Sequence, residues 1–313
     1  MIMKKIFIDG KAGTTGLRIE ERLSERDDVE IITLPEDKRK DFQARKEMLN
    51  SVDVAFLCLP DAAAREAVAM VENPDVVIID TSTAHRTNPE FAYGFAELGK
   101  SFYDKIKNGK RIAVPGCHAG GFIALIHPLI KAGILRKDVP LTCHSLTGYS
   151  GGGKNMIAEY EGDGRDLLLD APRQYALSQS HKHLPEMIAF TGIEKTPIFC
   201  PIVSDFYSGM EVTVPIFSDY LCEGKGVSDI KDAYRSAYSG PIVKYVEDPS
   251  ECGFLSSGRY SGYDSMEISV FGNDERILLT ARYDNLGKGA SGAAVECLNI
   301  ALGKDETLGL KLV

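Results

Sequence analysis

The chain has 313 residues, 44% hydrophobic and 26% charged, a globular composition with enough apolar side chains for two domain cores and no mark of disorder. Its net charge of −9 argues against a general nucleic-acid or anionic-membrane partner, while a local basic site for phosphate stays open. Seven cysteines without a Cys-x-x-Cys pair exclude a disulfide framework and a zinc ribbon, and no apolar run approaches the ~18 residues that span a bilayer, so a cytoplasmic location is expected.

Residues 4–8 read as a short apolar strand that runs into Asp9-Gly10-Lys11-Ala12-Gly13-Thr14-Thr15-Gly16, after which Leu17, Ile19 and Leu23 continue at helical spacing. Further strands are expected at 29–34, 53–59, 76–80 and 112–114, with helical patterns between them, notably 62–71. That alternation predicts an α/β fold with a Rossmann-type, doubly wound parallel sheet. The fifth strand ends at Pro115-Gly116-Cys117, and a helix is expected over 122–132. Beyond about residue 140, longer β-rich runs at 211–216, 266–271 and 277–282 predict a second domain with a mixed sheet. A last helix at 289–302, rich in Ala and Gly, is expected to pack back on the first domain. The reading divides the chain into a dinucleotide-binding domain at 1–116, completed by 285–313, and a catalytic, substrate and oligomerisation domain at 117–284.

Gly10, Gly13 and Gly16 sit where a strand-to-helix turn brings backbone N–H groups onto a pyrophosphate, and Thr14 and Thr15 lie in the same turn. The end of the second strand faces the adenosine ribose in such sheets. Glu36 and Asp37 occur there, but Lys38, Arg39 and Lys40 follow and can pair with a 2′-phosphate, which favours NADP. Thr81-Ser82-Thr83-Ala84-His85-Arg86 follows the fourth strand at the sheet's carboxyl edge, where its hydroxyls and Arg86 suit an anion.

Cys117 lies between a strand and a helix, so its sulfur is expected at a helix N-terminus, where the macrodipole favours thiolate. The other six cysteines read as apolar fillers. A thiol nucleophile needs a proton carrier that titrates near neutrality, and His181-Lys182-His183 is the leading candidate. No Cys, His or carboxylate set at metal-ligand spacing accompanies that pair, so no metal is expected, and His118, His127 and His144 read as structural. Gly148-Tyr149-Ser150-Gly151-Gly152-Gly153-Lys154 is a second glycine-rich loop, whose Ser150 and Lys154 could hold a phosphate or carboxylate.

Taken in order, the glycine turn, Asp80–Arg86, Pro115–Cys117, Gly148–Lys154, His181–Glu186 and Asp284-Asn285 through Gly292 resemble the N-acetyl-γ-glutamyl-phosphate reductases of arginine biosynthesis, in their compact subgroup. The resemblance implies a semialdehyde-dehydrogenase-like fold, NADP as cofactor, a small acyl-phosphate substrate and a homo-oligomer. It implies Cys117 as nucleophile, His181 or His183 as acid/base, and Asn285 in a wall of the nicotinamide site, with His181 preferred for its spacing from Tyr175. The chain departs from the family at His118-Ala119-Gly120, where Tyr-Pro-Thr is common, and at Ala84-His85, where the longer subgroup has Asp-Phe. Aspartate-semialdehyde dehydrogenase is the nearest enzymatic alternative, and a non-catalytic NADP-binding sensor is the alternative of another class.

Overall fold

The computed structural model describes residues 3–11 and 13–313, so Ala12 of the glycine turn lies outside them. The amino-terminal half alternates as the pattern predicts: β1 (Lys4–Asp9), α1 (Thr14–Ser24), β2 (Val29–Ile32), α2 (Phe42–Ser51), β3 (Val54–Leu57), α3 (Asp61–Met70) and β4 (Val77–Asp80). β5 (Ala92–Tyr93), α4 (Lys100–Asn108) and β6 (Arg111–Ala113) follow. The six strands form one parallel sheet in the order β2-β1-β3-β4-β6-β5. Strand order reverses beside β1, the switch point at which such sheets open a crevice outside their carboxyl ends.

The central strands are almost wholly apolar, as at Val54–Leu57 and 77–79, because the middle of the sheet is buried on both faces. Ile6, Ile8, Val54, Phe56 and Ile79 enter one core with Ile19 and Leu23 of α1, while Phe7, Ala55, Leu57 and Ile78 enter another with Leu49 of α2 and Met70 of α3. The last helix, Gly292–Ala301, joins the first of these cores through Ala294, Leu298 and Ile300. Each such aliphatic side chain contributes about 1.5–3 kcal/mol when taken fully out of water.

The chain gathers into two compact units, the first formed by Met1–Ala96, Lys100–Pro115 and Ala290–Leu310, the second by Glu97–Gly99, Gly116–Gly289 and Lys311–Val313. Residues 285–289 and 311–313, expected with the first domain, therefore belong to the second unit. Hydrogen bonds explain this: Asn285 is tied to Ser150 and Gly209, and Lys311 exchanges two bonds with Asp264.

The second unit runs α5 (Cys117–Lys131), β7 (Thr142–Gly148), α6 (Gly153–Glu161), β8 (Arg173–Gln174), α7 (Leu184–Thr191), β9 (Ile198–Ser204) and β10 (Met210–Phe217). α8 (Val227–Ala237), β11 (Val243–Tyr245), β12 (Met266–Gly272) and β13 (Arg276–Tyr283) complete it. Its seven strands form a mixed sheet in the order β11-β12-β13-β10-β7-β9-β8. β10 is antiparallel to both neighbours, whereas β7 and β9 are parallel. The pattern along β10 is strictly period two, with Met210, Val212, Val214 and Ile216 buried and Glu211, Thr213 and Pro215 half-buried.

α5 is apolar on almost every side because it lies within this core rather than on its surface. Pro128 lacks the N–H that would bond the carbonyl of Ala124, and the Tyr238 hydroxyl of α8 donates to that carbonyl instead, at 2.6 Å. The helix starts at Cys117, earlier than the expected 122, since Gly120 and Gly121 continue it instead of delaying it. Gly148–Lys154, expected as a glycine-rich loop, folds into a 3-10 turn at Tyr149–Gly152 and the first turn of α6.

Candidate active site

The β1–α1 turn is built for an anion. Gly10 has φ +83°, and a Cβ there would stand 2.3 Å from the carbonyl oxygen of Cys58 at the end of β3, so only glycine fits. Gly13 is the N-cap of α1 and supplies no side-chain cap, Gly16 is buried in the first turns, and the Thr14 hydroxyl oxygen is buried with no hydrogen-bond partner among the described residues. An uncapped helix N-terminus with an unsatisfied hydroxyl fits a pyrophosphate. Thr15 is half-buried beside it.

A cleft of about 430 Å³, within the range of small-molecule sites, opens at the carboxyl ends of β1 and β2. Gly10, Lys11, Leu34, Asp37, Arg39 and Lys40 are among its lining residues. Arg39 lines it while paired with Glu36, whereas Lys38 is exposed and lies outside the lining. Thus of the three consecutive cations Lys38, Arg39 and Lys40, the last two line the cleft. Its floor holds Arg45 of α2, which donates to Asp9 at 2.9 Å and Glu66 at 3.2 Å. Burial pushes the Asp9 carboxyl above its ordinary range, and Arg45 offsets this only in part.

Ser82 and Arg86, the expected cofactor and substrate contacts, take part in buried networks at the end of β4. Asp80, fully buried, accepts from the Ser82 N–H at 2.9 Å and the Ser82 hydroxyl at 2.8 Å, and pairs with His85 Nδ1 at 2.7 Å. His85 stacks on Phe91 with ring centroids 4.4 Å apart. Arg86 donates to the carbonyls of Val114 at 2.9 Å and Thr81 at 3.1 Å. These bonds fix the loop after β4, which the local motif alone could not distinguish from an open anion site.

Cys117 is the first residue of α5, partly buried and in no disulfide. Its turn is clamped from two sides by residues far away in sequence. Glu186, in the first turn of α7, accepts the N–H of the N-cap Gly116 at 2.8 Å. Tyr283 of β13 inserts its hydroxyl into the helix ladder, accepting from the Gly121 N–H at 3.1 Å and donating to the Cys117 carbonyl at 2.5 Å. A Cβ at Gly121 would lie 2.5 Å from that hydroxyl, so glycine here is a condition of the insertion.

An aromatic and imidazole cluster surrounds the residue after the thiol. His118 Nε2 meets the Tyr175 hydroxyl at 2.7 Å and Nδ1 meets the Ser145 hydroxyl at 2.7 Å. The ring centroids of His181 and His183 lie 6.1 and 5.6 Å from that of His118 and 4.7 Å from each other. Burial, reinforced by His181 and Lys182, pushes His118 down to about 3, so this imidazole is neutral at physiological pH. His181 is half-buried and its Nδ1 accepts the His183 N–H at 3.2 Å, while the His183 side chain is buried. The structure therefore gathers His181 and His183 in the unit that carries Cys117, and adds His118, Tyr175, Ser145, Glu186 and Tyr283. Among these, Glu186 alone had a local signal, as the acidic residue after Pro185 at a helix start.

Ser150 and Asn285, assigned from sequence to substrate and cofactor, touch each other. The Asn285 amide donates to the Ser150 hydroxyl at 3.0 Å and its oxygen accepts from the Gly209 N–H at 2.9 Å. Lys154 is exposed in the first turn of α6. Among the described residues, no group of three His, Cys, Asp or Glu is placed to hold a metal ion, and no helix is long and apolar enough to cross a membrane.

Family models describe both parts of this architecture. Residues 5–106 match the semialdehyde dehydrogenase NAD binding domain, and residues 117–285 match the semialdehyde dehydrogenase dimerisation domain. The chain is 45% identical to N-acetyl-gamma-glutamyl-phosphate reductase 2 of Nostoc sp., covering 98% of this chain and 99% of that protein. It is 46% identical to N-acetyl-gamma-glutamyl-phosphate reductase of Sinorhizobium medicae, covering 95% and 98%. Among solved structures, aspartate semialdehyde dehydrogenase II of Vibrio cholerae shares the fold with a TM-score of 0.72 at 16% identity, covering 97% of this chain and 99% of that one. Aspartate semialdehyde dehydrogenase of Candida albicans shares it at 0.68 and 18%, again covering 97% and 99%. A clamped thiol at a helix start, a glycine turn shaped for a dinucleotide and full-length identity near one half converge: the chain belongs to the N-acetyl-γ-glutamyl-phosphate reductase family, within the semialdehyde dehydrogenase fold.

Proposed function

We propose that the protein reduces N-acetyl-γ-glutamyl phosphate to N-acetylglutamate semialdehyde with NADPH, releasing phosphate, as a step of arginine biosynthesis, through a thioester on Cys117. The observation that carries this reading is the placement of Cys117 as the first residue of α5, with its turn clamped by Glu186 and Tyr283. A thiol there gains from the helix dipole as thiolate, and the rigid turn keeps the sulfur where an acyl carbon can be attacked.

Gly10, Gly13, Thr14, Thr15 and Gly16 would hold the dinucleotide's pyrophosphate, and Arg39 with Lys40 would meet the 2′-phosphate. In the reaction, the Cys117 sulfur forms a bond to the γ-acyl carbon, the C–O bond to phosphate breaks, and phosphate departs with the bonding pair. NADPH, when bound, supplies the hydride, and a proton from the acid/base completes the conversion of this thioester to a thiohemiacetal. Collapse breaks the C–S bond, regenerates the thiolate and releases the aldehyde as the acid/base takes the hydroxyl proton. His181 suits that role better than His183, because it is half-exposed whereas the His183 side chain is buried.

The assembly proposed is a homo-oligomer. The open face of the mixed sheet exposes Ile198 at 58%, Phe217 at 55% and Leu278 at 42%, apolar surface suited to a second copy. The place of action proposed is the cytoplasm, which suits seven cysteines in no disulfide.

The test is the reverse reaction. With inorganic phosphate and NADP, oxidation of N-acetylglutamate semialdehyde is expected to exceed that of aspartate semialdehyde strongly. Preference for aspartate semialdehyde would overturn the substrate assignment, and NADPH binding without turnover of either would overturn the enzymatic reading in favour of a sensor.

A further inference from the structure

The protons of the Ser145–His118–Tyr175 chain can be placed by elimination. Ser145, on β7, is fully buried, and among the described residues its hydroxyl has one hydrogen-bond partner, His118 Nδ1. A buried O–H without an acceptor costs about 1–3 kcal/mol, whereas an unused lone pair on the same oxygen costs far less. The Ser145 hydroxyl therefore donates, and Nδ1 is the acceptor. His118 is neutral, so its single ring proton is on Nε2, and Nε2–H donates to the Tyr175 oxygen at 2.7 Å. The phenolic proton of Tyr175 then points away from His118, and Tyr175 has no other hydrogen-bond partner among the described residues. His118 is covalently next to Cys117, and Tyr175 is partly open, which leaves its proton accessible to a bound molecule.

We propose that Tyr175 donates a hydrogen bond to the acyl oxygen of a substrate bound at Cys117, and that His118 is the positioning residue that turns the phenolic proton toward it. The inference rests on the Cys117 thioester reading and deepens it. As sulfur attacks, the acyl oxygen gains negative charge, and a preoriented neutral donor stabilises that charge more than it stabilises the ground-state carbonyl. The phenol keeps its proton, since burial raises its pKa above the ordinary range and negative charge at Cys117 raises it further. The groups facing His118 are Ser145 from β7, Tyr175, His181, His183 and Lys182 from the segment before α7, and Phe199 from β9.

Two readouts test this. In protein labelled with nitrogen-15 histidine, the His118 signal, assigned by its loss in H118N, is expected to show the Nε2–H tautomer from pH 6 to 8. An Nδ1–H tautomer or an imidazolium would overturn the relay. In kinetics, Y175F is expected to lower kcat about tenfold to a hundredfold, with KM for the acyl phosphate changed less than about threefold and NADPH affinity unchanged. Y175F/H118N is expected to be no slower than the slower single variant, because His118 acts through Tyr175. Y175F with wild-type kcat would overturn the proposal. The tautomer readout needs no turnover, so it stands if H118N activity is lost through misfolding. Absence of turnover by the wild type would instead indict the thioester reading.

Discussion

The glycine turn and the surroundings of Cys117 are built by different means. The turn works through backbone: its N–H groups, the left-handed Gly10 and the start of α1 all come from one stretch of the chain. The thiol site works through side chains delivered by the fold, from α5, β7, the segment around Tyr175 and His181, α7 and β13. A backbone site is encoded locally and tolerates changes elsewhere, while a side-chain site depends on several distant elements keeping register.

Exchange of one sulfur gives the largest expected effect and separates the two regions most sharply. Cys117→Ser is expected to lower turnover at least about 10⁴-fold, as loss of a nucleophile does, while NADPH affinity measured by fluorescence titration is unchanged. Loss of cofactor affinity in that variant would show that the regions are not independent.

The thiol region also has its own response to acid. The His118 proton affinity is lowered in the folded state, to about 3 against an ordinary 6.5, so between those values the unfolded chain binds the additional proton. Stability contributed by this group is present above pH 6.5 and is lost as pH falls, by about 1.4 kcal/mol per pH unit within that window. Urea denaturation of H118N is expected to show a flatter pH dependence over that range than wild type, and an equal slope would refute the buried neutral ring.

In the turn, Gly10→Ala must abandon a left-handed backbone and displace the Cys58 carbonyl, which would lie 2.3 Å away. A cost of about 1–3 kcal/mol in stability and a large loss of NADPH affinity are expected, with the Cys117 cluster intact by histidine NMR. Arg39→Ala is the mildest change. It is expected to weaken NADPH about tenfold and leave NADH unaffected, as a lost charged hydrogen bond would, and equal weakening of both would place the 2′-phosphate elsewhere.

The same contrast explains what could be read from sequence. The parallel sheet was legible because strand–helix alternation and Gly10–Gly16 are short-range signals, and Cys117 stood out because it follows a strand and precedes a helix. His181 and His183 were legible as a pair. The bonds of Glu186 to the Gly116 N–H, 70 residues away, and of Tyr283 to the Cys117 carbonyl, 166 residues away, were not, because the helix-start signal at Glu186 names no partner and Tyr283 carries no signal at all. His118 read as structural for the same reason, since its two ties come from β7 and from the strand edge near β8. The buried bonds of Ser82 and Arg86 were not legible either, since a hydroxyl and a guanidinium at a sheet edge suit a ligand anion as well as the Asp80 carboxylate that Ser82 meets or the carbonyls that Arg86 meets. β7 and β9 were missed because polar and proline residues interrupt their apolar pattern.

The central claim is that carbon is held on Cys117 between loss of phosphate and arrival of hydride. Intact-mass spectrometry after mixing the protein with N-acetyl-γ-glutamyl phosphate in the absence of NADPH tests it directly. One N-acetylglutamyl group per chain, located on the peptide that carries Cys117 and discharged as the semialdehyde when NADPH is added, is the predicted result. Turnover of the acyl phosphate with no adduct on Cys117 under single-turnover conditions, and undiminished in Cys117→Ser, would contradict it.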